Sequence, residues 1–242
     1  KLKFLKLPKL NFPKYSFRYK KSETNQVLIF DSKDLDFNSH VKNSVPFYDE
    51  THRLISFLST FFLKENSIVY EIGCSTGTLL DRVNHYNNLK SINYIGIEPA
   101  KRLVEQAKKN IKSKNISFVN SKVENFKFKK SDLIIAHFVM QFIEKESHLK
   151  IYNSIFKSLK PGGGFIFFEK SYFDNSETDF MLGSVYNYDF KKFNKFSAED
   201  IYKKKFSLRG LMKLNTEKET KKILSQIEFK ETAVIFKWGQ FT

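Results

Sequence analysis

The stretch from Ser67 to Gly77 constrains this chain more than any other. Ser67-Ile68-Val69-Tyr70-Glu71 reads as a buried strand, Ile72-Gly73-Cys74-Ser75-Thr76-Gly77 as a tight loop, and Thr78 to Tyr86 as a helix. A strand that runs through a glycine loop straight into a helix belongs to an α/β fold. The unit repeats: strands are expected at Ile92 to Ile97, Ile116 to Val119, Leu133 to Ala136 and Phe165 to Phe168. Between them, helices are expected from Pro99 to Ile111 and from Lys145 to Leu159, with a turn at Pro161-Gly162-Gly163-Gly164. Upstream, Leu54, Ile55, Phe57, Leu58, Phe61 and Phe62 have helical spacing, so a helix within Asp49 to Leu63 precedes the sheet.

This alternation predicts a doubly wound, Rossmann-like, mostly parallel sheet covered by helices on both faces. It stops between Asp174 and Thr220, where two or three polar, lysine-rich helices are expected as an insertion, and Ala233 to Trp238 reads as a final strand. The sequence ends at Thr242, where an antiparallel partner strand would begin, which reads as an early stop. With 242 residues, one domain is expected over 43–242, carrying the insertion at 174–220 and preceded by an arm at 1–42.

Charge decides what the arm can be. Lys1 to Lys21 holds eight Lys or Arg and no acidic residue, interleaved with Leu, Phe and Tyr and broken by Pro8 and Pro13. The prolines exclude one continuous amphipathic helix, so an extended arm packed on protein is expected. The formal net charge of +16 also admits RNA as a partner, although lysines on solvated helix faces account for it more simply. Apolar runs such as Leu133-Ile134-Ile135-Ala136 are far shorter than the ~20 residues of a membrane span. Cys74 is the single cysteine, which excludes an intrachain disulfide and a cysteine-based zinc cluster. No metal site is expected, and a cytoplasmic setting is.

The chemistry starts in the loop. Gly73-x-x-x-Gly77 differs from the G-x-G-x-x-G of dinucleotide binders, since Ser75 replaces the second glycine, and from a phosphate loop, since no Gly-Lys-Ser/Thr follows. What adds weight is Glu98, ending the second strand, where a carboxylate can accept hydrogen bonds from both hydroxyls of a ribose. His137 ends the fourth strand and is a candidate general base. Glu169, ending the fifth, and Tyr48, in the helix before the sheet, are the other polar groups expected near the reacting centre. Cys74 reads as a packing residue rather than a nucleophile.

Glu71, Gly73, Gly77 and Glu98 in that order, with Leu-Lys-Pro-Gly-Gly before the fifth strand, resemble class I S-adenosylmethionine-dependent methyltransferases. Ser44-Val45-Pro46-Phe47-Tyr48, the Gly73-Cys74-Ser75 loop, Met140-Gln141-Phe142-Ile143, Phe168-Glu169-Lys170 and the stretch from Phe190 to Met212 are similar to the carboxy-S-adenosyl-L-methionine synthase family over Asn43 to Gln240. That family converts S-adenosylmethionine and prephenate into carboxy-S-adenosylmethionine, used to modify a wobble uridine of tRNA. The resemblance implies cofactor contacts from Tyr48, Gly73, Cys74, Ser75 and Glu98, with Glu71, Gly77, Lys122, Val123 and His137 around them, and a homodimer.

Three positions depart from the pattern. Lys122 stands where the family has an adenine-contacting Asp, His137 where it has an Asn, and Lys205 where an Arg grips the extra carboxylate. Lys122 cannot accept from the adenine amino group, so the backbone or Glu124 must. Lys205 keeps the charge without the two-pronged fork. On that ground the residues favour a methyltransferase using ordinary S-adenosylmethionine on a small molecule. The second reading is the synthase itself, with Lys205 and Tyr48 binding substrate, and the third, ranked last, is a non-catalytic RNA-binding protein.

Overall fold

The computed structural model describes residues 37–229 and 231–242. The arm expected over 1–42 lies outside these except for residues 37–42, which form most of helix α1 (Phe37–Ser44). Five parallel strands follow: β1 (Ile68–Ile72), β2 (Asn93–Glu98), β3 (Ile116–Asn120), β4 (Ser131–His137) and β5 (Leu159–Phe168). Their order in the sheet is β3-β2-β1-β4-β5, so the connection reverses direction between β1 and β4. In open α/β sheets the crevice at that reversal, outside the carboxyl ends of the strands, is where ligands bind.

Helix α2 (Tyr48–Ser59) precedes the sheet, and α3 (Thr78–Asn87), α4 (Lys101–Asn110) and α5 (Lys145–Ser158) connect the strands. The period-2 alternation along each strand sends its side chains into two separate cores. Val69, Leu133 and Ile135 pack with Ile55, Leu80, Val83 and Val104, while Tyr70, Ile72, Ile134 and Ala136 pack with Ile151, Tyr152 and Ile155. Among the described residues no helix is long and apolar enough to cross a membrane.

Two expectations need correction. Pro161–Gly164 does not end a helix before a new strand: β5 already pairs at Leu159 with Ser131, and residues 160–163 loop out before Gly164 pairs with Leu133. Gly162, at φ 78°, supplies the reversal that such a bulge requires. Ala233–Trp238 is not a strand of the sheet, for Val234 and Ile235 lie exposed and unladdered. Gly239, at φ 53°, turns the chain back so that Trp238 and Phe241 exchange backbone hydrogen bonds, and the antiparallel pairing falls further on. Glu169 and Thr242 exchange both bonds (2.8 and 2.9 Å) and Ser171 N donates to Gln240 O (2.7 Å).

The insertion contains α6 (Ser176–Ser184), a π-helical turn (Val185–Phe190), a last turn (Lys191–Phe193) and α7 (Ala198–Ser207), before α8 (Glu217–Ser225) returns to the sheet. α7 and α8 each begin with a capping box, at Ser197/Asp200 and Thr216/Glu219. α6 is not polar as expected: Phe180 and Met181 project from it.

Candidate functional site

A cavity of about 990 Å³ opens over the carboxyl ends of β1, β2 and β4 and is roofed by α1, α6 and α7. That volume sits at the top of the ~300–1,000 Å³ range of small-molecule sites, with room for two ligands side by side.

The first half is built from strand ends. Beyond Ile72 the backbone turns at Gly73 (φ 66°), and the N–H groups of Gly73 and Cys74 both donate to Ile97 O (2.7 and 3.1 Å), locking the loop to β2. A Cβ on Gly73 would lie 2.5 Å from Val139 Cγ2, so only glycine lets the loop come this close to the end of β4. Gly77 (φ 77°) starts α3. Glu98 is 7% exposed and lines the cavity; its Oε2 accepts from Ser75 N (3.0 Å) and its Oε1 from Ala100 N (2.9 Å). A carboxylate has about four acceptor directions, so it can accept more than these two bonds, as contact with a pair of vicinal hydroxyls requires.

Glu71 also lines the cavity. It accepts the Leu80 N–H, its Oε2 has no partner among the described residues, and burial beside Glu98 pushes its pKa well above the carboxylate range. An ammonium or N–H donor in the cavity would satisfy that oxygen. Ser75 Oγ is likewise shielded without a partner. Pro99, Leu103 and Val123 offer an apolar slot beyond Glu98, edged by Lys122 and Glu124. Val123 is buried while Lys122 is exposed at the entry to the turn Val123–Asn125. A carboxylate for the hydroxyls, an orphaned acceptor and a Cβ-free loop fit an adenosyl amino acid.

Cys74 is 2% exposed, and a Cβ on Gly96 would meet its Sγ at 2.6 Å. Burial, with Glu71 and Glu98 nearby, holds the thiol well above its usual pKa, so it packs and does not attack.

His137 and Tyr48 meet at the floor. Thr51 Oγ1 donates to Tyr48 O (2.9 Å) and stands 2.9 Å from His137 Nε2. A hydroxyl has one proton, so His137 must donate from Nε2 and carry its lone pair on Nδ1. Burial, and His52 beside it, push the His137 pKa well below the ordinary value, so the ring is neutral. Tyr48, His52 and His137 cluster in tilted and edge-on contacts with centroids 4.3 to 5.2 Å apart, and His52 is pushed down to about 3 by burial and the charges of Arg82 and Lys42. The cluster is an uncharged aromatic floor on which a sulfonium can rest.

The second half is cationic. Lys170, Lys191, Lys204, Lys205 and Arg209 all line it, of which sequence reasoning singled out only Lys205. Glu169 does not line the cavity: its carboxylate accepts from Thr220 Oγ1 (2.7 Å) on α8, and burial lifts it to about 7. The expectation was one residue out of phase. Past β5 the alternation continues, so Phe168 and Lys170 face the cavity side and Glu169 the other. Among the described residues no group of three or more His, Cys, Asp or Glu could hold a metal.

A family model described as a methyltransferase domain matches residues 69–163. Solved structures share the fold: the cyclopropane synthase MmaA2 from Mycobacterium tuberculosis (TM-score 0.57, 15% identity, 84% of this chain and 66% of that one). Human N-acetylserotonin methyltransferase in complex with S-adenosylmethionine is another (TM-score 0.56, 14% identity, 84% and 52%). Fold and site thus define a class I S-adenosylmethionine-dependent transferase, with S-adenosylmethionine or its carboxylated form as cofactor. Curated relatives are narrower. The carboxy-S-adenosyl-L-methionine synthase of Staphylococcus epidermidis is 34% identical over 233 residues, 96% of this chain and 97% of the relative. That of Desulfotalea psychrophila is 29% identical over 223 residues, 87% and 91%. The chain belongs to the carboxy-S-adenosyl-L-methionine synthase family.

Proposed function

We propose that this chain is itself a carboxy-S-adenosyl-L-methionine synthase, rather than a methyltransferase acting on a small neutral acceptor. The cationic half of the cavity carries the reading. S-adenosylmethionine brings a sulfonium, and each like charge around the same cavity opposes it. Five basic side chains in that half, against the single carboxylate of Asp179, make a cationic cofactor with a neutral partner a poor occupant. An anionic co-substrate, or a carboxylate on the cofactor, reverses the sign of every such interaction. Lys205 serves this purpose as a point charge, without an arginine's fork.

The sulfonium, when bound, supplies an electron-poor methyl carbon. The chain's residues hold and shield it: Glu98, Glu71 and the Gly73–Gly77 loop fix the adenosyl and amino acid parts. Tyr48 and His137 form a neutral floor that excludes water, and the cationic wall orients the carboxyl donor beside it. The family resemblance makes prephenate that donor. Incubation with S-adenosylmethionine and prephenate, read by mass spectrometry, is the test. The expected product is heavier than the cofactor by one carbon dioxide and depends on prephenate. Absence of that product, with only S-adenosylmethionine or S-adenosylhomocysteine copurifying, overturns the reading.

A further inference from the structure

Two of the five cations are placed unlike the rest. Lys170 follows β5 and Lys191 follows the π-helical turn, and their ammonium nitrogens lie 4.5 and 4.7 Å from the centroid of one ring, that of Tyr186. Tyr186 is held firmly. Its hydroxyl donates to Ser44 O (2.9 Å), its ring stacks on Phe190, and Phe241 meets it edge-on at 4.9 Å. Both ammonium groups are therefore held against one fixed ring of the cavity wall.

The π-helical turn is the reason. Tyr186 and Lys191 are five residues apart, which in an α-helix separates them by roughly 140° around the axis. A π-turn, with its i→i+5 bonding, brings such a pair onto one face. Without Val185–Phe190 in this form, Lys191 would point away from Tyr186.

Among the described residues no ion pair involves Lys170 or Lys191, although Lys191 is 5% exposed. Asp179, the carboxylate felt by Lys170, spends its Oδ1 on Phe173 N (3.0 Å) and Gln240 Nε2 (2.8 Å). Burial and surrounding lysines bring both ammonium groups down to about 8. Buried charges are retained where something pairs with them. What pairs with these must enter through the cavity.

We propose that Lys170 and Lys191, set around Tyr186 by the π-helical turn, form a carboxylate subsite that takes one carboxylate of a dicarboxylate co-substrate, while the other meets Lys205 and Arg209. This rests on the reading that the co-substrate is a carboxyl donor such as prephenate. The buried ring of Tyr186 stiffens the pair by holding both ammonium groups against it.

The test is calorimetric titration of prephenate into the full chain saturated with S-adenosylhomocysteine, for wild type, Lys170→Met, Lys191→Met and Lys191→Arg. Losing one charge-assisted contact is expected to weaken prephenate by about tenfold in each Met variant, with S-adenosylhomocysteine affinity unchanged and Lys191→Arg close to wild type. Removing an unpaired buried charge does not endanger folding, so thermal unfolding of the Met variants should match or exceed wild type. Met variants that bind prephenate within about twofold of wild type overturn the subsite, even if wild type forms the carboxylated product. Loss of prephenate binding in those variants, in a chain that forms no such product, refutes the proposed function and leaves the subsite standing. A wild type that does not bind prephenate refutes both.

Discussion

Replacing Glu98 with glutamine changes one atom and tests the adenosyl half of the cavity directly. Both carboxylate oxygens are engaged by backbone, at 3.0 Å from Ser75 N and 2.9 Å from Ala100 N. An amide has one oxygen and an NH₂, so whichever way it turns, one of those N–H groups faces a donor. A buried donor left without an acceptor costs about 1–3 kcal/mol, and here the cost falls on the loop that shapes the site. On the ligand side, two hydroxyls lose an ionised acceptor, each such bond contributing about 1.5–3 kcal/mol, part of which the amide oxygen retains. The expected loss in binding is about 2–4 kcal/mol, or roughly 30- to 1,000-fold in S-adenosylhomocysteine affinity. Calorimetric titration with S-adenosylhomocysteine, beside thermal unfolding of the unliganded protein, separates the two effects. Affinity within about threefold of wild type would mean that Glu98 does not hold the ribose, and the orientation assigned to the cofactor would fall with it.

Cys74→Ala should leave carboxylated-product formation within about twofold of wild type and lower unfolding free energy by about 1 kcal/mol, the cost of a small void against Gly96 and Phe118. Loss of activity in a folded Cys74→Ala protein would contradict the packing role. The Glu169 carboxyl is raised from 4.5 to about 7, so the folded chain holds a proton that the unfolded chain releases. Stability from that difference is complete below the lower value and lost as pH rises toward the upper one. Glu169→Gln should therefore gain about 2 kcal/mol on wild type between about pH 5 and about pH 8, measured by urea unfolding. A gap that stays flat or shrinks sinks the assignment.

The sheet was legible because five apolar runs alternate with amphipathic helices and the central strands β1 and β4 bury both faces. The loop and Glu98 were legible because backbone geometry restricts which residues can occupy them. Two other features escaped for definite reasons. Glu169 and Lys170 are neighbours at the end of β5, and choosing between them needs the phase of the strand, which a one-residue slip inverts. Lys191 lies in Phe190-Lys191-Lys192-Phe193, which reads as a solvated helix face at α-helical period. Only the π-helical turn reveals that it points inward. The apparent strand Ala233–Trp238 has the right alternation, but Gly239 diverts the pairing to Gln240–Thr242, where no periodicity announces it.

The two halves of the cavity also differ in how the chain supplies them. The adenosyl half is assembled from helix α2, the ends of β1, β2 and β4 and the turn after β3, positions scattered from Tyr48 to His137. The cationic half comes from one unbroken stretch, Lys170 to Arg209. A single exchanged segment can thus alter the partner molecule while leaving cofactor recognition intact, so this stretch is the natural unit for building chimeras with new carboxyl donors.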